Sequence, residues 1–218
     1  MKHLDLDTIS RRLEGLAPRM IAGGLALAAV GLGAAFLFGG ERLLETYLVS
    51  FAFWLSLALG GLFFVLLQHC TRAGWSVVVR RVAEAVAANV VLMAVLAVPV
   101  VLGMHHLYHW SHAEEVAADP ILANKAAFLN PTFFTVRILV YFAVWIALAL
   151  FFWRTSTAQD RSRDPKLTRR MEVLAAPGMV LFALSLNFAA FDLLMSLDPH
   201  WFSTIFGVYY FDGSVVVF

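Results

Sequence analysis

Residues 133–153 read FFTVRILVYFAVWIALALFFW, a run in which Arg137 is the one charged side chain. At 1.5 Å per residue a helix of this length covers about 30 Å, the thickness of bilayer hydrocarbon. A barrel strand would need only about 10 residues and would alternate polar with apolar positions. Backbone amides in lipid must also be paired within the segment or in a closed barrel. The run therefore predicts a transmembrane helix.

Comparable blocks stand at 20–38, 47–68, 82–103 and 174–195, and a sixth begins near Trp201. Hydrophobic residues make up 61% of the 218 positions and charged residues 14%, against about a quarter charged in a soluble domain. The expected fold class is all-α, a polytopic transmembrane helix bundle of about five complete spans plus the start of a sixth. Residues 1–19 read as an N-terminal arm and 20–218 as the transmembrane domain. The last block stops at Phe218 with no charged flank and too few residues to complete a crossing, so the chain reads as the N-terminal part of a longer membrane protein.

Orientation follows from the positive charges. Thirteen of the sixteen Lys and Arg residues fall in the arm and in the connections following the second and fourth blocks. Only Arg42 and Lys125 lie on the other side, and Arg137 is within a block. The positive-inside rule then places the N-terminus in the cytoplasm, and the expected location is a bacterial inner membrane. Basic loops held near anionic lipid account for the clusters without nucleic acid. Ile9, Leu13 and Leu16 recur at helical spacing, so the arm reads either as a surface-lying amphipathic helix or as a solvated segment. No cleavable signal peptide is expected, because a charged arm precedes a first block too long for a signal core. Cys70 is the single cysteine, which leaves no disulfide or thiolate cluster within the chain and reads as a small buried or interfacial residue. Small residues four apart in the first block, such as Gly24 and Ala28 or Gly31 and Ala35, predict a close helix partner, and Pro99 predicts a bend in the third span.

An ionisable group in hydrocarbon costs at least ~2.5 kcal/mol unless it finds a partner or water. Four residues meet that condition: Glu84, Arg137, Asp192 and Asp212. Glu84 follows Arg80 and Arg81 by one helical turn, which fits an interfacial ion pair and also a proton-uptake site. Arg137 and Asp192 lie at matched depth near the outer surface, one entering and one leaving. They form either a structural pair or the wall of a polar cavity open to the outside. Asp212, counted from Trp201, falls about 16 Å along a helix, near the midplane; if the span begins near Ser214 it lies among headgroups instead. Between the third and fourth blocks stand His105, His106, His109 and His112. His105, His109 and His112 would share one face of a continuing helix, a metal-capable geometry. No HExxH-type pattern accompanies them, and interface chemistry is the expected reading. Haem b would need histidines inside two facing spans, and only His69 approaches one.

The run Phe188–Tyr209, FAAFDLLMSLDPHWFSTIFGVY, resembles the large membrane subunits of bacterial alternative complex III, especially the ActF type, within the NrfD and polysulfide-reductase membrane-anchor group. It departs where Asp212 stands, a position for which the resemblance implies a small apolar residue. The resemblance implies ten spans, built from two four-helix bundles and two further helices, in a complex that oxidises quinol and passes electrons to cytochrome c or an oxidase. It implies partners that include a multihaem cytochrome, an iron-sulfur protein and a homologous membrane subunit. No cofactor bound by this chain is implied, although menaquinone or ubiquinone could enter a cavity. Arg137, Asp192, Asp198, His200 and Tyr209, with Glu84 and Asp212, are then candidates for a quinone or proton pathway. A transporter or a purely structural scaffold is the competing expectation.

Overall fold

The computed structural model describes residues 15–16, 18–27, 29–31 and 42–218, and every regular element among them is helical. The chain divides into two units, residues 1–43 and 44–218. In the first, residues 18–27 and 29–31 are helical. Of the expected first span at 20–38, residues 20–27 and 29–31 are described and helical; residues 28 and 32–38, with the Ala28 and Ala35 positions of its small-residue pattern, and most of the amphipathic arm lie outside the described residues.

Four helices are long and apolar enough to cross a membrane: α1 (Leu43–Cys70), α2 (Val77–Leu102), α3 (Pro131–Ser162) and α4 (Pro165–Leu193). They begin earlier or end later than the apolar blocks, because the blocks mark only what hydrocarbon demands. The 32 residues of α3 reach about 48 Å and run on into water. Local chemistry sets several ends. Asn130 and Asp164 each precede a proline at the first helical position, and their side chains accept from the N–H of Phe133 and Lys166. This is the N-cap arrangement that satisfies orphan amides.

The regular pattern of α2 is interrupted at Asn89 and at Ala97, both with helical backbone angles, and resumes at Val98–Leu102 with Pro99 in its first turn. Beyond it the chain does not continue as one helix. Met104–Leu107 forms a turn, Tyr108 is extended (φ −124°, ψ 117°), and His109–Ser111 starts a separate 3₁₀ turn. The expected shared face of His105, His109 and His112 is therefore absent.

The span expected from Trp201 also starts later. Asp198 accepts from the N–H of His200 and Trp201, closing a turn around Pro199, and the helix α5 begins only at Phe206 and runs to Val217. Asp212 consequently lies about 9 Å along α5 rather than 16 Å, and it is exposed.

Helix α1 is the most enclosed, with 56% of its most apolar window buried, and α2 the least, with 28%. Gly61 of α1 faces α2, where an added Cβ would come within 3.1 Å of the Ala83 carbonyl. Gly60, one position away, faces α5 so closely that a Cβ would overlap the Ser214 carbonyl. Without a hydrophobic drive between helices in lipid, such backbone approach and buried hydrogen bonds hold the bundle. The bonds include Tyr210 Oη to the Ala52 carbonyl (2.8 Å) and Trp145 Nε1 to Ser185 Oγ (2.8 Å).

Candidate functional site

Arg137 sits six residues into α3 and Asp192 one residue before the end of α4, at the same end of two adjacent helices. The matched depth read from the sequence becomes a direct pair. Asp192 Oδ1 accepts from one terminal nitrogen of Arg137 at 2.7 Å, and Oδ2 accepts from Nε at 2.8 Å. This is the two-pronged geometry in which guanidinium and carboxylate bond most strongly. The other terminal nitrogen donates to the Phe128 carbonyl at 2.8 Å. Tyr141, one turn along α3, donates its hydroxyl to Asp192 Oδ2 at 2.7 Å. The Arg137 guanidinium carbon lies 3.8 Å from the Phe128 ring centroid and 4.4 Å from that of Phe133, a cation–π setting.

Asp192 is 0% exposed, Tyr141 6% and Arg137 8%. Three donors converge on the carboxylate, so its charge is compensated without water. A second layer closes the end of α4. Tyr108 Oη donates to the Leu193 carbonyl (3.0 Å), Trp110 Nε1 to the Ser196 carbonyl (3.1 Å), and Ser196 Oγ to the Asp192 carbonyl. These bonds meet the carbonyls that a helix C-terminus leaves open. Burial, with the nearby Asp192 charge, pushes the Tyr108 phenol well up, so it stays a donor.

The turn after α4 is held from the same side. His200 bonds Asp119, and Lys125 donates to the Pro199 carbonyl. The N–H of Ile121, followed by the contact with His200, holds the Asp119 carboxyl below the usual carboxylate range. Asp198 closes its own turn and remains 70% exposed. Tyr209 and Asp212 are exposed on α5. No hydrogen bond or ion pair joins them to Asp192 among the described residues. His109 faces Glu115 at 3.2 Å, while His112 bonds the His105 carbonyl. Among the described residues no group of three or more metal-ligating side chains is gathered.

Glu84 lies at the opposite end. Its Oε2 accepts from Arg81 at 2.8 Å, and Arg81 also bridges to Asp160 of α3. Glu84 is 2% exposed, and its Oε1 has no partner. The ion pair expected there is formed, and a further helix shares it.

The structure thus joins Arg137 to Asp192, pairs His200 with Asp119 beside Asp198, and leaves Glu84, Tyr209 and Asp212 apart. Tyr141, Tyr108, Trp110 and Ser196 complete the buried network and were not among the expected site residues. Tyr141 stands one helical turn from Arg137 in the sequence, a spacing that could have singled it out; nothing comparable marks Tyr108, Trp110 or Ser196.

Fold and site together define an all-helical membrane protein whose longest helices are clasped near one end by a buried ion pair. No protein-family model matches the chain, and no curated protein does.

Proposed function

We propose that this chain is a membrane subunit of a bacterial respiratory complex that oxidises quinol, of the alternative complex III type. In this reading it has no redox centre of its own. One observation carries it: Phe188–Tyr209, the run that resembles those subunits, holds both Asp192, the carboxylate at the centre of the buried pair, and the turn at Asp198–His200. The partners in this reading are a multihaem cytochrome, an iron-sulfur protein and a homologous membrane subunit. The test is purification of the full-length protein from its native membrane. Those partners are expected to copurify; recovery as a free-standing homo-oligomer would sink the proposal.

Within that complex, the saturation of Asp192 by Arg137 and Tyr141 favours a positioning role over a group that exchanges protons. In assembled complex carrying Tyr141→Phe, the positioning role predicts unchanged quinol turnover and proton release. A lowered ratio of protons released to quinol oxidised would assign the cluster to a proton pathway.

A further inference from the structure

Helix α5 has two distinct faces. Gly207, Tyr210, Phe211 and Ser214 turn inward: a Cβ on Gly207 would overlap the Asn187 side chain, Tyr210 donates to the Ala52 carbonyl, the Phe211 ring meets that of Phe63 at 4.8 Å, and Ser214 lies against Gly60. Tyr209, Asp212, Gly213 and Val216 share the opposite face at helical spacing. Tyr209 is 67% and Val216 85% exposed, Asp212 is exposed as well, and a Cβ on Gly213 would meet open space.

Packing fixes the depth of this outer face. Helix α5 starts below the surface, because Gly207 packs on Asn187, about 9 Å short of the end of α4. Asp212 stands between Tyr210, which reaches Ala52, and Ser214, which meets Gly60, so it is level with the middle of the apolar block at 47–68. Ala52 is about 7 Å inside one edge of that block and Gly60 about 12 Å inside the other. A side chain as short as aspartate does not reach water across such distances, and an ionisable group at this depth that faces away from its own bundle demands a partner.

The sequence offers no cation at that depth. Asp212 joins no hydrogen bond or ion pair through its side chain among the described residues. Arg137 is the one Lys or Arg within the five apolar blocks, and Asp192 holds it. The block at 20–38 has no ionisable side chain at all. A second copy of the chain, packed face to face, would set one carboxylate against another, and like charges at close range disfavour each other.

We propose that the outer face of α5 docks a transmembrane helix of a partner membrane subunit, one that brings an Arg or Lys to the level of Asp212. Gly213 beside the carboxylate lets that helix approach closely, as small residues do at helix contacts in lipid, and Tyr209 and Val216 flank the ion pair one turn to either side. The inference rests on the proposed function only for the presence of a second membrane subunit, and not for quinol oxidation.

Full-length protein carrying the photoreactive p-benzoylphenylalanine in place of Val216 is irradiated in its native membrane and purified with its accompanying subunits, and the cross-linked peptide is sequenced. An adduct with a transmembrane segment of another subunit that contains Arg or Lys is expected. In Asp212→Asn its yield is expected to fall severalfold. Asp212→Lys should abolish it, and Asp212→Lys combined with replacement of the partner's cation by Asp should restore it. The proposal is overturned if the probe yields no protein adduct, or joins lipid, a second copy, another segment of the same polypeptide or a subunit segment without Arg or Lys. It is equally overturned if folded Asp212→Asn gives the wild-type yield; should that variant fail to fold, the adduct formed with Asp212 in place decides. A lipid-only adduct in a preparation that retains the multihaem cytochrome and iron-sulfur protein would remove the docking face and leave the respiratory reading standing. The expected adduct in a complex without those two partners would do the opposite.

Discussion

Arg137 and Asp192 are each costly in hydrocarbon and stable only together. Removing one partner of a buried pair costs about 3–5 kcal/mol, whereas replacing both by apolar groups is often neutral. Asp192→Asn is therefore expected to lower the thermal midpoint of the purified protein markedly. The double variant Arg137→Met with Asp192→Leu should recover most of that loss; equal stability of wild type and Asp192→Asn would show that the pair does not hold the bundle. The pair was legible in the sequence because depth is a matter of counting at 1.5 Å per residue from each helix end. The roles of Tyr141, Tyr108 and Trp110 were not, since aromatic residues near an interface are common. Which of them turns inward depends on helix rotation.

Among the elements, Asx–Pro pairs recur at Asp119–Pro120, Asn130–Pro131, Asp164–Pro165 and Asp198–Pro199. The first three open helices. The fourth closes a turn instead, because no helical hydrogen bonds follow until Phe206, and that difference moved the start of α5 and the depth of Asp212. Close approach between helices shows a comparable contrast at adjacent residues. Gly60→Ala is expected to push α5 off α1 and lower the thermal midpoint clearly. Gly61→Ala meets the Ala83 carbonyl at 3.1 Å and needs only a shift of a few tenths of an ångström. Comparing the two melting curves checks this ordering; a larger loss for Gly61→Ala would contradict it.

At the scale of the whole molecule, the turns after α1 and α3 share one end, since Arg72 bridges to Glu172 and Arg81 to Asp160 across them. The Arg137–Asp192 clasp lies at the other. Cys70 is exposed at the basic end, which makes it a reporter of sidedness. If the positive-inside expectation holds, an impermeant maleimide should spare Cys70 in intact spheroplasts and label it after permeabilisation. A Cys70→Ser, Asp198→Cys variant should instead label already in intact spheroplasts, with no further gain on permeabilisation. Labelling of Cys70 in intact spheroplasts would invert the topology.

Composition and block length by themselves determined that this is a helical membrane protein, where its main spanning helices run, and that Arg137 and Asp192 lie at one depth. These are one-dimensional properties: transfer of apolar side chains to lipid and the rise of a helix depend on neither rotation nor partners. Tertiary structure decided which groups meet. It turned matched depth into a two-pronged ion pair with Tyr141, broke the histidine face at Tyr108, and left Asp212 exposed. Those outcomes rest on how each helix is rotated and which neighbour it packs against, which are set by close backbone approach and buried hydrogen bonds between segments far apart in the chain.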